Sequence, residues 1–353
     1  MQEQNITLRS IENFQQADKF AITHLDLQLN NCSIHDQNLI LLKNSLTQCS
    51  QIQSLTLNLE NQDIKAHQMD LIFGDLPQFD NLNSLILNLI FNEFQYEGAQ
   101  ILGQYLKKYQ RLKIIKLDLY GCQIGSDGAK ELIDAIKSIK TIQNLEIWIG
   151  NCDIEDDAML CLMQALQSQS NQLTDLTIGM SENQITDVGI NQISTAINQC
   201  QKLELLELYL YETKMSDRGL QSITTALNQC PLITFLALCL YTNKIGDKGV
   251  LSISNGLINC SQISSLILSL FNNKMTDQGY FEFDKCISCL ANLLYLECYL
   301  NNHEKLLKSR EILNCKNIRE ITLGLSQCDS DFEKNYHKAK ALKIKRLVLL
   351  EIK

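Results

Sequence analysis

The sequence predicts an α/β solenoid, in which about 11–12 strand–turn–helix units stack side by side. The segment 203–215 returns 30 residues later as 233–245, and again as 263–275. Within each segment, apolar and variable residues alternate, which is typical of a half-buried strand. A run with helical spacing follows each strand. A fixed period of this kind indicates repeated units that bury one continuous core and leave one long face exposed.

The units are counted from a leading apolar residue, and position +k lies k residues after it. These starts are 30 residues apart, with one step of 31, at Ile22, Ile52, Leu82, Leu112, Ile142, Leu173, Leu203, Ile233, Ile263 and Leu293. Shorter steps lead to Ile318 and to about Ile344. Apolar residues at +3, +5 and +7 predict a strand. The Asn, Cys or Thr at +10 is expected to hydrogen-bond backbone groups that are freed where the strand ends.

The turn leads into a predicted helix. An apolar residue at +12 is expected to fill the turn. An Asp-x-Gly sequence follows in the later units, where the aspartates are candidate N-caps or first-turn acids: Asp187, Asp217, Asp247 and Asp277. Leu220, Ile223 and Leu227 then lie on one face of a helix. One unit is therefore predicted to be a strand, a turn and a helix.

This LxxLxLxLxxNxI pattern, the Asp-x-Gly helix entry and the Cys before the next strand resemble the ribonuclease-inhibitor-like class of leucine-rich repeats. The resemblance covers roughly residues 22–330 and implies a horseshoe with a parallel concave sheet and convex helices. The extra apolar residue at +7 departs from the family and implies slightly longer strands. The Gln/Asn-rich, Lys-over-Arg composition resembles proteins of ciliated protozoa.

The two ends of the chain lack the regular repeat. Residues 1–21 are expected to form an N-terminal cap in which Ile11, Phe14 and Phe20 cover the first unit. The repeat array is expected over 22–330. Residues 331–353 are expected to add a capping helix and a strand. Caps of this kind close the exposed ends of a repeat array.

Composition argues against several classes of partner. The net charge of −9 gives no general basic field for nucleic acid or an anionic membrane. No apolar run reaches the roughly 20 residues that a membrane span needs, and residues 1–10 lack the pattern of a secretion signal. Nine of the 14 cysteines follow the repeat phase, as small buried residues would. A reduced, cytoplasmic location is therefore expected.

The predicted concave face carries the candidate partner-binding residues. Positions +4, +6 and +8 point to this face, and large aromatic side chains recur there. These are Tyr120, Trp148, Tyr209, Tyr211, Tyr241, Phe271 and Tyr299. Such residues are frequent in interface hot spots, although strand propensity alone also favours them. Acidic residues share the face, so a protein partner with a basic or Arg-rich surface is predicted, and a solvated acidic face with no specific partner is the alternative.

No catalytic or metal-binding pattern is evident, and no enzyme activity, cofactor or metal site is predicted. The sequence lacks the usual phosphate-binding, zinc-protease and nucleophile-elbow motifs. Cys286 and Cys289 form a lone CxxC with no second pair nearby. The predicted function is a docking or scaffold subunit of a large intracellular assembly, with the ciliary axoneme as one expected home. A regulator of a GTPase, resembling Ran activators, and an inhibitor of a basic enzyme stay open as alternatives.

Overall fold

The computed structural model describes residues 4–30, 34–74, 76, 79–257, 259–288, 290–301, 317–326 and 349–352. The chain divides into an N-terminal unit, residues 1–173 and 178–183, and a C-terminal unit, residues 174–177 and 184–353. Strands and helices alternate along the described chain. The predicted α/β solenoid of strand–turn–helix repeats is therefore confirmed.

All the described strands are short, and most span five residues. They are β1 (Gln4–Leu8), β2 (Ile22–Gln28), β3 (Ser54–Asn58), β4 (Ser84–Asn88), β5 (Ile114–Asp118), β6 (Asn144–Trp148), β7 (Asp175–Gly179), β8 (Leu205–Tyr209), β9 (Phe235–Cys239), β10 (Ser265–Ser269), β11 (Tyr295–Asn301), β12 (Glu320–Ser326) and β13 (Leu349–Ile352).

The described helices follow the strands in the order that the repeat predicts. They are α1 (Ile11–Gln16), α2 (Asp36–Leu46), α3 (Ala66–Met69), α4 (Gln95–Leu106), α5 (Gly125–Ser138), α6 (Asp156–Gln169), α7 (Asp187–Ile197), α8 (Asp217–Leu227), α9 (Asp247–Leu257) and α10 (Asp277–Ser288). A π-helical turn at Asp70–Gly74 continues α3.

Neighbouring strands pair in parallel, and they keep the repeat register. In the N-terminal unit, β1 to β6 are paired in chain order. In the C-terminal unit, β8 to β13 are paired in the same way. Leu206 pairs with Leu236, and Leu236 pairs with Leu266. Equivalent positions of successive repeats therefore form columns within each unit.

The alternating pattern separates a buried face of the sheet from a partly exposed one. Leu206, Leu208 and Leu210, at +3, +5 and +7, are at most 1% exposed. The helices bury their own apolar stripes, such as Leu220 and Ile223 in α8. Each fully buried side chain of this size contributes roughly 1.5–3 kcal/mol through removal from water. The other side of the sheet, with positions +4, +6 and +8, is called the open face below.

The +10 column ties each strand end to its neighbour. Asn92 donates from Nδ2 to the carbonyl oxygens of Leu59 and Leu89, at 2.9 and 2.8 Å. Its Oδ1 accepts from the amide of Ile64 at 2.9 Å. The Cys122 thiol, at the same position, donates to the Leu89 carbonyl at 3.0 Å. The predicted role of this column in satisfying backbone groups is confirmed for these residues.

The Asp-x-Gly sequence links one repeat to the next. The N-caps of α7 and α8 are Thr186 and Ser216, so the prediction that the aspartates cap their own helices is wrong for these two helices. Asp187 is instead the first residue of α7, which confirms the first-turn alternative. Its Oδ1 accepts from the amides of Ser216 and Gly219 in the next repeat, at 2.7 and 3.0 Å.

The glycine of each Asp-x-Gly sequence has a steric reason. A Cβ added at Gly219 would lie 2.7 Å from Oδ1 of Asp187, and one at Gly249 would lie 2.7 Å from Oδ1 of Asp217. A Cβ at Gly279 would collide with Asp247 in the same way. Asp187 and Asp217 therefore need both the amide and the open space of the glycine that lies 32 residues further on, and Asp247 needs the open space of Gly279.

The two ends agree only in part with the predicted caps. Ile11 and Phe14 are buried, at 3% and 0% exposure, but Phe20 is 67% exposed, so its predicted covering role is wrong. Phe20 follows the end of α1, and Lys19 occupies the space over the Phe14 ring instead, with Nζ 5.8 Å from the ring centroid. At the other end β13 pairs with β12, whereas the helix predicted over 333–346 lies outside the described residues.

Candidate functional site

Three aromatic rings stand one on another on the open face of the C-terminal unit. Tyr211, Tyr241 and Phe271 lie at +8, just beyond the ends of β8, β9 and β10. The ring centroids of Tyr211 and Tyr241 are 4.3 Å apart, with 7° between the ring planes. Those of Tyr241 and Phe271 are 4.4 Å apart at 9°. These values describe offset parallel stacking, and the three residues are called the aromatic stack below.

The parallel register causes this arrangement. Because β8, β9 and β10 pair without a shift, side chains at the same repeat position project side by side at the strand spacing of about 4.8 Å. Flat rings are the side chains that fill such a column face to face. All three rings are half-buried. Burial, the neighbouring Tyr211 hydroxyl and the charge of Glu212 raise the pKa of Tyr241, so its hydroxyl stays protonated at neutral pH.

Two further tyrosines of the C-terminal unit are paired with glutamates of their own strands. The Tyr209 hydroxyl donates to Oε2 of Glu207 at 2.7 Å. The Tyr299 hydroxyl donates to Glu297 in the same way. Tyr209 and Tyr299 lie at +6 in β8 and β11, with two strands between them. Both hydrogen bonds fix the position of a carboxylate on the open face.

In the N-terminal unit, the predicted aromatic residues lie against glycines. A Cβ added at Gly150 would lie 2.7 Å from Cδ2 of Tyr120, and one at Gly179 would collide with the indole of Trp148. The ring in each case covers the glycine at the same position of the next repeat, as aromatic side chains do for exposed strand glycines. Tyr299 covers Gly324 in the C-terminal unit in the same manner.

The polar atoms of these two N-terminal aromatics are already engaged. The Tyr120 hydroxyl donates to Glu182. The indole Nε1 of Trp148 donates to Oε1 of Glu146 at 2.8 Å. Glu146 also forms an ion pair with Lys116, at 2.7 Å. The polar groups on this part of the open face are thus already satisfied by hydrogen bonds and an ion pair.

A carboxyl group of the N-terminal unit has an unusual protonation equilibrium. Asp118 lies at +6 in β5 and accepts from the backbone amide of Tyr120 at 3.2 Å. Burial, together with the charges of Glu146 and Glu60, raises the pKa of Asp118 to about 6. The predicted acidic character of the face therefore includes one group that is partly protonated near neutral pH.

The structure brings together only some of the seven predicted partner-binding residues. Tyr211, Tyr241 and Phe271 form one stack, and Tyr209 lies at +6 in the same unit. Tyr120, Trp148 and Tyr299 each cover a glycine. The glycines at 150, 179 and 324 were the available signal for this difference, because each follows an aromatic residue at the equivalent position of the preceding repeat. The partner-binding role of all seven stays a prediction.

The cysteines behave as structural residues. The ten cysteines among the described residues are free thiols, and eight of them are buried. The Cys230 thiol donates to the Ile197 carbonyl at 3.3 Å, and the Cys260 thiol donates to the Leu227 carbonyl at 3.4 Å. Burial raises the pKa of Cys230 to about 12, so this thiol is protonated. Cys289 of the CxxC sequence lies outside the described residues.

Neither a metal-binding cluster nor a membrane-spanning helix is found among the described residues. No group of three or more His, Cys, Asp or Glu side chains in the described ranges is placed to hold a metal ion. No described helix is long and apolar enough to cross a membrane.

The match to a known repeat is local in sequence. Residues 113–132, which contain β5 and the first part of α5, match the family model described as Leucine Rich repeat. No curated protein shows significant sequence similarity to this chain. The matched residues form one of the strand–turn–helix units described above, and the other units share its register. The matched segment is therefore similar to a leucine-rich repeat, and the solenoid consists of units with the same strand–turn–helix order.

Solved structures resemble the chain only distantly. The yeast Rad7–Elc1 complex is 14% identical over 91% of this chain and 81% of that one, with a TM-score of 0.45. Internalin C2 of Listeria monocytogenes is 16% identical over 80% and 83%, with a TM-score of 0.34. Actin-binding site 2 of leiomodin-1 is 15% identical over 47% and 88%, with a TM-score of 0.35. At these values the description of the fold rests on the repeat register itself.

Proposed function

We propose that this protein is a non-enzymatic scaffold that binds a protein partner through the open face of its C-terminal unit. The aromatic stack is the observation that carries this proposal. Tyr211, Tyr241 and Phe271 present a continuous row of half-buried rings on a hydrogen-bonded sheet. Rigid aromatic side chains lose little conformational entropy on binding, and they are enriched in interface hot spots.

The charge of the same face favours a basic partner. Glu207 and Glu297 lie on the open face of the C-terminal unit, and neither forms an ion pair with a Lys or Arg of the described chain. A guanidinium group can pair with a carboxylate and also stack on an aromatic ring. An Arg-rich surface of the partner therefore fits this combination best.

The setting of the interaction is part of the proposal. A repeat array with an open sheet face suits a docking subunit of a multi-subunit assembly, because its binding surface is rigid. We propose a cytoplasmic location, with the ciliary axoneme as the assembly, on the compositional resemblance to ciliate proteins. An inhibitor of a basic enzyme is the second candidate function, and the two carboxylates that lack a cation partner favour it. Nothing in the described site favours the GTPase-regulator alternative.

Affinity purification from the native cells, followed by mass spectrometry, tests the scaffold function. We expect the triple variant Y211A/Y241A/F271A to lose most of the captured partner, by tenfold or more, as removal of a hot-spot cluster would. The melting temperature should change little, because the rings lie outside the leucine core. Tyr120→Ala, at the same +8 position of the N-terminal unit, is the matched control and should keep the partner.

Two outcomes would reject the proposal. One is full capture of the same partner by the triple variant. The other is equal loss in the triple variant and in Tyr120→Ala, because the aromatic stack would then have no special role.

A further inference from the structure

On the open face of the C-terminal unit, β8 and β11 carry the same glutamate–tyrosine pair, and two strands lie between them. The surface between the two pairs is called the groove below, and the two pairs are called its walls. On β8, Glu207 and Tyr209 are hydrogen-bonded to each other at 2.7 Å, and on β11 Glu297 and Tyr299 form the same pair. The strands between them carry uncharged side chains in the same two rows. Ala237 and Ile267 lie between the glutamates, whereas Cys239 and Ser269 lie between the tyrosines.

The floor of the groove lies in the field of both walls. Burial and then the charges of Glu207 and Glu297 raise the pKa of Cys239 to about 12, so both carboxylates act on the same central point. Ala237 and Ser269 are buried, and Ile267 and Cys239 are half-buried. The floor is thus uncharged, and Ile267 and Cys239 are the floor residues that a partner can touch, because Ala237 and Ser269 are covered by their neighbours.

These carboxylates lack the neutralising cation that their counterpart has. Glu146, at the same +4 position in β6 of the N-terminal unit, is paired with Lys116 at 2.7 Å. Among the residues that the structure describes, no Lys or Arg pairs with Glu207 or Glu297. The tyrosine hydroxyls hold both carboxylates in place, so a cation that arrives finds them already oriented.

The distance between Glu207 and Glu297 determines how far apart two arginines must lie in a bound segment. Glu207 and Glu297 are three strand steps apart, which corresponds to about 14 Å at about 4.8 Å per step. In an extended peptide, residues i and i+4 are separated by about 13–14 Å, and they point to the same side. In an α-helix, the same distance needs about nine residues.

We propose that this groove binds an extended segment of a partner protein that lies across β8 to β11. Two arginines four residues apart pair with Glu207 and Glu297, and the small residues between them lie over the floor. The inference rests on the proposed scaffold function and adds the conformation and the Arg spacing of the bound segment. Adjacent arginines, or arginines three apart, point to opposite sides of an extended chain, so only one of them reaches a carboxylate.

Two synthetic twelve-residue peptides of Ser, Thr and two Arg test the spacing. The spaced peptide has its arginines four residues apart, and the adjacent peptide has them at neighbouring positions. Fluorescence anisotropy with the full-length chain measures the dissociation constant of each labelled peptide. We expect the spaced peptide to bind about fivefold more tightly, as one additional half-buried Arg–carboxylate pair would give.

Charge-removing variants locate the effect. Glu207→Gln and Glu297→Gln keep an oxygen that can accept from the tyrosine hydroxyl, so the fold should be retained. Each is expected to reduce the preference for the spaced peptide, and the double variant should abolish it. Glu146→Gln, in the N-terminal unit, is the matched control and should leave the preference unchanged.

The failure of this inference is distinguishable from failure of the scaffold function. Equal binding of the two peptides, or no binding of either at about 1 mM protein, would overturn the inference. So would a preference that survives in the double variant. The scaffold function would still stand in these cases if Y211A/Y241A/F271A loses the native partner and Tyr120→Ala keeps it.

Discussion

Strands β5 and β6 of the N-terminal unit and the aromatic stack of the C-terminal unit use aromatic residues on the open face in opposite ways. In the N-terminal unit, Tyr120 and Trp148 lie on Gly150 and Gly179 of the following strands. In the C-terminal unit, Tyr211, Tyr241 and Phe271 meet other aromatic rings at the same position. A ring whose neighbour in the next repeat is a glycine covers that glycine, whereas a ring whose neighbour is another ring stacks on it. The residue at the equivalent position of the next repeat therefore decides which contact an aromatic side chain makes.

The charges follow the same division. Glu146 of the N-terminal unit is neutralised by Lys116 and also accepts from Trp148. Glu207 and Glu297 of the C-terminal unit are held by tyrosines, which supply no charge. One region satisfies its own polar groups, and the other keeps negative charge available to a partner.

The largest expected effect on stability comes from disturbing the contact between Trp148 and Gly179. Gly179→Ala places a methyl group under the indole of Trp148, and this overpacking should lower the free energy of unfolding by about 2–3 kcal/mol. Trp148 is the only tryptophan of the chain, so its fluorescence emission reports the displacement directly. Ser269→Ala, at the same +6 position in β10, is the control and should change stability by less. Unchanged emission in Gly179→Ala would show that the indole does not rest on this glycine.

A second effect of similar size depends on pH. The pKa of Asp118 is raised to about 6 in the folded protein, and the unfolded value is near 3.8. The unfolded state therefore loses its proton first as the pH rises, and the folded state is penalised progressively between pH 4 and pH 6. Asp118→Asn should raise the free energy of unfolding by about 3 kcal/mol above pH 6 and by nothing below pH 4.

Denaturant unfolding of wild type and Asp118→Asn at pH 4 and pH 7 measures this difference. The equivalent +6 residues of the C-terminal unit between β8 and β11 are Tyr209, Cys239, Ser269 and Tyr299, none of which is a carboxylic acid. A stabilisation of the same size at both pH values would mean that the carboxyl group is not responsible.

The contact between the rings of the aromatic stack should be measurable as a coupling between two substitutions in the free energy of unfolding. Tyr241→Leu and Phe271→Leu each remove one ring of the aromatic stack and keep an apolar side chain. In a double-mutant cycle, the two changes should be non-additive by about 1 kcal/mol, as aromatic pairs are. Tyr120→Leu combined with Phe271→Leu is the control pair, with one residue in each unit. Additive effects of Tyr241→Leu and Phe271→Leu would contradict ring-to-ring contact.

The smallest effect concerns the link between repeats of the C-terminal unit. In the wild type, Oδ1 of Asp217 accepts from the amides of Gly246 and Gly249 at 2.6 and 3.0 Å. Asp217→Asn keeps an oxygen for these amides but removes the negative charge at the start of α9. We expect a loss of about 0.5 kcal/mol, because a negative charge near a helix N-terminus is favourable. The melting temperature at low and high salt measures it, and the loss should shrink at high salt. A stabilising effect would be inconsistent with the capping role.

The repeat register was readable from the sequence because one residue type recurs at one position. Leu206, Leu236 and Leu266 define the strand phase, and this phase predicts Tyr211, Tyr241 and Phe271 in one column. The geometry of that column is confirmed, as is the burial of eight of the ten described cysteines.

Features that depend on two different repeats were harder to predict. The carboxylate of Asp187 binds the amide of Gly219, 32 residues away, whereas the local sequence predicts only a cap or a first-turn acid of its own helix. For Trp148, the strand pattern predicts only the direction of the side chain. Its contact with Gly179 depends on a residue of another repeat. The exposure of Phe20 depends on Lys19 covering Phe14, which is a choice between two side chains of similar reach.

Photo-crosslinking tests the central difference between the two regions most directly. A p-benzoylphenylalanine is placed at position 241 in one chain and at position 120 in another, and both are irradiated in native extract. We expect a crosslinked partner from position 241 and none from position 120. Crosslinks from position 120 alone, or equal crosslinks from both positions, would contradict it.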